Sequence, residues 1–171
     1  MSSTFDLVVM GIDQSFTSTG WFVKEGDNFK YGLIHSDKED NIFRRAVDVA
    51  NEVGFVVNRY APEVIALEGL PFMSKSNVTR DLAGLQFTIV NRLSLLGYDV
   101  DRNLFIIPPT QLKKHATGTG KATKIEMFES LPAWARNSIE STPKSKGRYD
   151  ITDAFWLADY VETRLTESND V

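Results

Sequence analysis

Cysteine is absent from the 171-residue chain, which excludes disulfides and thiolate metal sites. Histidine is almost absent. His35 and His115 lack metal-ligand spacing and are expected to be structural or solvent-exposed. No apolar run approaches membrane-spanning length. The opening MSSTFD has neither a basic n-region nor an apolar h-region, so a cytoplasmic protein without membrane partners is expected. Internal repeats and low-complexity segments are also missing. Positive charge is short overall, the net charge being −4, which argues against a generic polyanion binder. It is not short everywhere. Between Gln111 and Arg148, eight Lys/Arg face three Glu, so one region of an acidic protein is locally basic.

What is present is a 42% hydrophobic, 25% charged chain, suited to a single soluble domain over 1–171 with its core in about 6–165. The run Leu7-Val8-Val9-Met10-Gly11-Ile12 reads as a buried strand, yet it ends on Asp13. A lone buried carboxylate costs several kcal/mol without a cation or donors (roughly, per group), so Asp13 is read as the first member of a site. Strand-like segments follow at Thr19–Val23 and Asn28–Ile34, predicting an antiparallel meander. Ser36-Asp37-Lys38-Glu39 has capping-box spacing. The helix after it carries Ile42, Ala46, Val49, Val53, Val56 and Tyr60 at three- and four-residue steps, and Pro62 stops it. Val64-Ile65-Ala66-Leu67 is a second apolar strand that ends on an acid, Glu68.

Residues 69–81 read as a loop holding Phe72, Met73, Lys75 and Arg80. A helix with Leu82, Leu85, Ile89, Leu93 and Leu96 follows and closes at Gly97. Leu104–Ile107 is a third buried strand, and Thr110–His115 a helical turn leading into ATGTGKATK. Two short helical stretches fit between Lys121 and Glu140. Residues 141–148, STPKSKGR, read as a basic, mobile connector. The last helix spans about Asp150–Leu165, and Asp150 and Asp153, at i and i+3, project from one side of it. Alone, those acids read as capping residues favoured by the helix dipole. Beside two strands that each end on an acid, they predict a four-carboxylate cluster. Such a cluster repels itself without a counter-cation, and hard oxygen donors select Mg²⁺ or Mn²⁺.

These motifs in this order resemble the RuvC-type Holliday junction resolvases of the ribonuclease H-like nuclease superfamily. Asp13 in GIDQSFTSTG, Glu68 in ALEGLPFM, and Asp150 with Asp153 in YDITDAFWLADY match the family's acids. PTQLKKHATGTGKATK is similar to its lysine–glycine loop, placing Lys113 and Lys124 at the family's lysine positions. The resemblance covers residues 8 to about 160. It implies a mixed five-stranded sheet, three antiparallel strands then two parallel ones, flanked by helices. It further implies that Asp13, Glu68, Asp150 and Asp153 bind two Mg²⁺, with Mn²⁺ as substitute. Lys124 would assist catalysis, on a branched DNA such as a four-way junction, in a homodimer.

Family members carry Glu-x-x-Phe, the Phe stacking on a junction base. Here one more residue intervenes, in Glu68-Gly69-Leu70-Pro71-Phe72, so that role falls to Phe72, to Leu70 or to neither. Lys113, Lys114, Lys121, Phe72, Lys75 and Arg80 are the expected DNA-binding residues, and the helix at 82–96 with the loop at 70–81 the expected dimer and junction contacts.

Other signals lead elsewhere. TGTGK fails as a P-loop because His115 stands where the first Gly belongs and Ala122 follows the Lys. Trp21, Trp134 and Trp156 are expected in the core or an interface. Sugar kinases and actin-like ATPases open with a similar strand, acid and turn. They need a second similar domain, which this unrepeated chain does not supply. A flap or general branched-DNA nuclease is the nearer alternative, and an inert DNA-binding module is disfavoured by the presence of all four acids.

Overall fold

A computed structural model describes residues 6–70 and 77–169. Five strands form one sheet: β1 (Val8–Asp13), β2 (Thr19–Glu25), β3 (Asn28–Ile34), β4 (Val64–Glu68) and β5 (Leu104–Ile107), in spatial order β3-β2-β1-β4-β5. The first three pair antiparallel; β4 and β5 join parallel to β1. The sheet expected from the sequence is therefore the sheet observed.

Helices α1 (Ile42–Tyr60) and α2 (Asn77–Leu95) cover one face. Met10, Ile12, Ile65 and Leu67 pack there against Val49, Val53, Leu85, Ile89 and Leu93. The opposite face receives α6 (Arg148–Asn169), with α3 (Pro109–Thr117), α4 (Lys124–Glu129) and α5 (Ala133–Ile139) around it. On that side Val9, Phe22, Val64 and Ala66 meet Ile151, Ala154, Phe155 and Leu157.

Strand alternation decides which face each acid takes. Val9, Gly11 and Asp13 share a face, as do Val64, Ala66 and Glu68. Because Val9 and Ala66 pack under α6, both acids point to the α6 side. The parallel register pairs Ile12 with Leu67, so Asp13 and Glu68 leave neighbouring strands side by side.

Two glycines, Gly11 and Gly20, let α6 lie on the sheet. A β-carbon at Gly20 would fall 2.3 Å from the Asp150 carbonyl, and Gly20 is the register partner of Asp13. Glycine is required here for close approach, not for a turn.

Several expectations are corrected. Ser36 caps nothing: its hydroxyl donates to the Phe16 carbonyl and accepts from Arg45 Nε, and α1 starts at Ile42, capped by Asn41 accepting from Arg44 N. Residues 77–81, read as loop, are the first turn of α2. The connector 141–148 is not loose. It contains a 3-10 turn, Lys144–Lys146, and Arg148 ties it down by donating to the carbonyls of Thr142 (2.7 Å) and Glu140 (2.8 Å). The inner face of α2 is spent inside the protein, because Leu85, Ile89 and Leu93 are fully buried; it cannot be an interface between copies. Trp156 behaves as expected, donating to the Met127 carbonyl in the core; Trp21 is half-buried against Tyr60, and Trp134, though packed on Phe29 and Phe155, remains 44% exposed. Among the described residues, no helix is long and apolar enough to cross a membrane.

Candidate active site

Asp13, Glu68, Asp150 and Asp153 line one cleft of about 410 Å³, with Ser15, Gly69, Pro109, Lys113, Lys124 and Met127. Three remote segments supply the acids: the ends of β1 and β4 and the first two turns of α6. Asp13 and Asp153 are each 7% exposed, which is unusual for carboxylates without paired charge.

Their electrostatics follow from that burial. Desolvation raises the Asp13 pKa well above its ordinary value, and the charges of Asp153, Glu68 and Asp150 raise it further. Asp153 is pushed up to about 7, first by burial, then by Glu68. Glu68 and Asp150 are raised too, chiefly by burial, and a side-chain hydrogen bond with Asp13 tempers the rise at Glu68. The cluster thus retains protons that free carboxyls would have lost.

Lys124 is the cation facing it, with Nζ 3.9 Å from Asp153 Oδ2. Burial works against its charge, but Asp153, Asp13, Asp150 and Glu68 outweigh burial and raise its pKa. A capping box sets its position. Thr123 Oγ1 accepts from Glu126 N while Glu126 Oε2 accepts from Thr123 N at 2.7 Å, so Lys124 is the first residue of α4. The sequence Thr123-Lys124-Ile125-Glu126 carries the S/T-x-x-E signature, and this occurrence is the genuine one.

The Glu68 main chain is held by side chains that sequence reading missed. Gln14 Nε2 and Gln86 Nε2 both donate to the Glu68 carbonyl at 2.7 Å, filling its two lone pairs. Gly69 N donates to the Ile107 carbonyl at 2.7 Å beside them. Gln14 is 7% exposed and its Oε1 is buried with no partner among the described residues. Such an orphan costs about 1–3 kcal/mol. The one sequence signal was an amide directly after Asp13, at a buried strand exit.

The remaining sequence-expected residues divide. Lys113 joins the acids in the cleft. Lys114 lies instead beside Gln111, His115, Tyr160 and Arg164. Lys121 is exposed and lines neither this cleft nor its neighbours. Arg80 pairs with Asp81 at 3.1 Å and borders a groove between α1 and α2, away from the acids. Phe72 and Lys75 lie outside the described residues. Leu70 is half-buried. His115 is structural, its Nε2 2.7 Å from Asp159 Oδ2; His35 is exposed and hydrogen-bonds the Thr17 carbonyl through Nδ1 at 3.0 Å.

The donor set fits a hard divalent ion. It consists of four carboxylates, which Lys113 and Lys124 are too few to neutralise, and the described lining offers no thiolate or imidazole. The acids stand around the cleft instead of closing on a point: among the described residues, no three His, Asp or Glu side chains form a finished ion cage.

Comparison with known proteins bears on these features. A family model described as "Crossover junction endodeoxyribonuclease RuvC" matches residues 9–157. A curated relative of that name from Rickettsia conorii is 30% identical over 131 residues, covering 73% of this chain and 80% of the relative. One from Sorangium cellulosum is 26% identical over 155 residues, covering 88% and 81%. Among solved structures, Thermus thermophilus RuvC in complex with a Holliday junction substrate superposes with a TM-score of 0.66 at 21% identity, covering 89% of this chain and 90% of that one. At that identity the structural likeness speaks for the fold.

Proposed function

The chain belongs to the RuvC family of crossover junction endodeoxyribonucleases, and from that membership we propose that it resolves Holliday junctions by hydrolysing phosphodiester bonds at the four-acid cleft, leaving 5′-phosphate ends. The observation that carries the reading is the convergence of Asp13, Glu68, Asp150 and Asp153 from three segments into one lysine-flanked cleft. Such acids are costly to a fold that does not use them.

Asp13, Glu68, Asp150 and Asp153 would hold two Mg²⁺, or Mn²⁺ in their place. Bound divalent ions supply a water of lowered pKa and a counter-charge for the leaving oxygen. The rest is the work of the chain. Asp13 and Glu68 are fixed by adjacent strands, and the Glu68 backbone is clamped by Gln14 and Gln86, so its carboxylate is pre-oriented. Lys124 stands where charge grows on the scissile phosphate and offsets it, and Lys113 draws the neighbouring backbone in. Lys114 and Lys121 are proposed as outlying phosphate contacts along the duplex arms, while Arg80, on the α1–α2 groove, belongs with the dimer surface proposed there.

A four-way junction has two-fold related strands, which supports a homodimer with two such clefts. The surface proposed for it is the outer face of α1 and α2. Phe43 is 80% exposed and Val47 49%, and both border the groove of about 690 Å³ shared with Gly84 and Thr88. An exposed phenylalanine and valine along a groove suit burial against a second copy. The activity is assigned to the cytoplasm, in one domain spanning the chain.

The test is incubation with labelled four-way, three-way, flap and linear DNAs in Mg²⁺ or EDTA. Paired symmetric nicks in the four-way DNA alone, abolished by EDTA, are expected. Equal cutting of flaps and three-way DNA would favour a general branched-DNA nuclease.

A further inference from the structure

A second, larger cleft of about 780 Å³ opens beside the first and shares Ser15, Lys124 and Asp150 with it. Its outer wall carries Lys144 and Lys146, with Lys38 also in its lining. All three lysines are exposed, and among the described residues none has an ion-pair partner. Among the described residues, Asp150, already part of the acid cluster, is the sole carboxylate in the lining.

Free surface lysines alone would mean a solvated face. Here the segment that carries them is fastened at several points. Arg148 spends its guanidinium on the Thr142 and Glu140 carbonyls and lies 5.2 Å over the Phe128 ring. Lys146 N donates to the Pro143 carbonyl at 2.9 Å, and Ile151 N to the Gly147 carbonyl at 3.1 Å. Gly147 has φ +100°, and a β-carbon there would fall 2.6 Å from Ser18 Oγ and 2.7 Å from Leu33 Cδ2. The backbone of the turn is therefore pressed onto the entrance of β2 and the end of β3, and it carries two exposed lysines whose charges are unspent. Ser15, Thr17 and Ser145 add hydroxyls to the same lining.

We propose that the fastened turn Lys144–Lys146 and Lys38 form a phosphate-binding wall that takes the backbone of a DNA arm running out of the four-acid cleft. The proposal rests on the nuclease reading above. Its chemistry is exposed cations on a fastened backbone with hydroxyl donors, which recognise phosphodiesters irrespective of base sequence. The wall reaches the acid cleft through Ser15, Lys124 and Asp150, so one backbone can lie along both.

The test measures junction affinity against salt concentration for wild type, Lys144→Gln/Lys146→Gln, and the triple variant with Lys38→Gln. Each lost phosphate contact lowers the slope of log K against log salt by about 0.9. The double variant should lose about 2 from the slope and the triple about 3. Arg59→Gln, a single charge loss at the far end of α1, should leave the slope unchanged. Gly147→Ala keeps every charge but displaces the turn, and should weaken binding in the same direction; the lysine variants decide if it fails to fold. Wild-type slopes in the lysine variants, with wild-type protein binding and cutting the junction, would overturn the wall alone. Failure of wild-type protein to bind or cut any branched DNA would overturn the nuclease reading with it.

Discussion

Gly11 of β1 and Ala154 of α6 meet backbone to backbone: a β-carbon on Gly11 would lie 1.9 Å from the Ala154 carbonyl oxygen. This contact sets the height of α6 above the sheet, and so the separation of Asp153 from Asp13. Gly20 does the same one strand over, beneath Asp150.

Gly11→Ala should therefore damage stability and the site together. Overpacking against rigid backbone belongs at the upper end of its usual range, about 3 kcal/mol or more. In a chain of this size that lowers the melting temperature by roughly 6–12 °C. Junction cleavage should fall with it, even below the melting point. A variant with wild-type melting and cleavage would mean that α6 does not rest on this contact.

Asp13→Asn separates charge from shape. The amide keeps the volume but is a poor ligand for a hard cation, so cleavage in Mg²⁺ should drop by more than about 100-fold, with junction binding largely kept. In EDTA at pH 8 the same variant should melt higher than wild type, because one member of a self-repelling cluster is gone. Near-normal nicking would remove Asp13 from the chemistry.

The pH dependence of stability follows from the same cluster. Asp153 titrates near 7 in the folded chain and near its ordinary 3.8 when unfolded. Its raised pKa means the folded state holds a proton the unfolded state has released. The associated stability is complete below the unfolded value and is lost as pH climbs through about 7. Asp13 acts in the same direction. In EDTA the melting temperature should fall from pH 5 to pH 8, and Mg²⁺ should restore more of it at pH 8 than at pH 5. Scanning calorimetry at the four conditions reads this directly; a flat or rising profile in EDTA would contradict the mutual strain of the acids.

Gln86→Leu removes one of the two donors on the Glu68 carbonyl. The cost in stability should be modest, about 1 kcal/mol. The more telling effect is on the ion requirement: the Mg²⁺ concentration for half-maximal cleavage should rise several-fold while junction affinity holds. An unchanged requirement would reduce Gln86 to a packing residue.

Strand periodicity made the sheet legible in the residues alone, because apolar runs ending on Asp13 and Glu68 admit few alternatives. Apolar residues at three- and four-residue steps likewise located α1 and α6, and the i, i+3 spacing of Asp150 and Asp153 marked the acid pair. Other features were beyond its reach. The S/T-x-x-E pattern occurs at both Ser36 and Thr123, and only the second caps a helix, because the Ser36 hydroxyl is claimed by Phe16 and Arg45 from elsewhere in the chain. Leucine spacing on α2 marked an apolar face but not what covers it, and α1 with the sheet proved to be the cover. STPKSKGR looks loose by composition, yet Arg148 folds it back on the nearby Thr142 and Glu140 carbonyls, and Gly147 packs on Ser18 and Leu33, which are remote in sequence. Local pattern, then, determined which segments become strands and helices and which of them carry acids, since those choices depend on near neighbours. The tertiary structure alone decided how far apart the acids stand, which lysines face them and which surfaces stay open, since each depends on contacts between residues far apart in the chain.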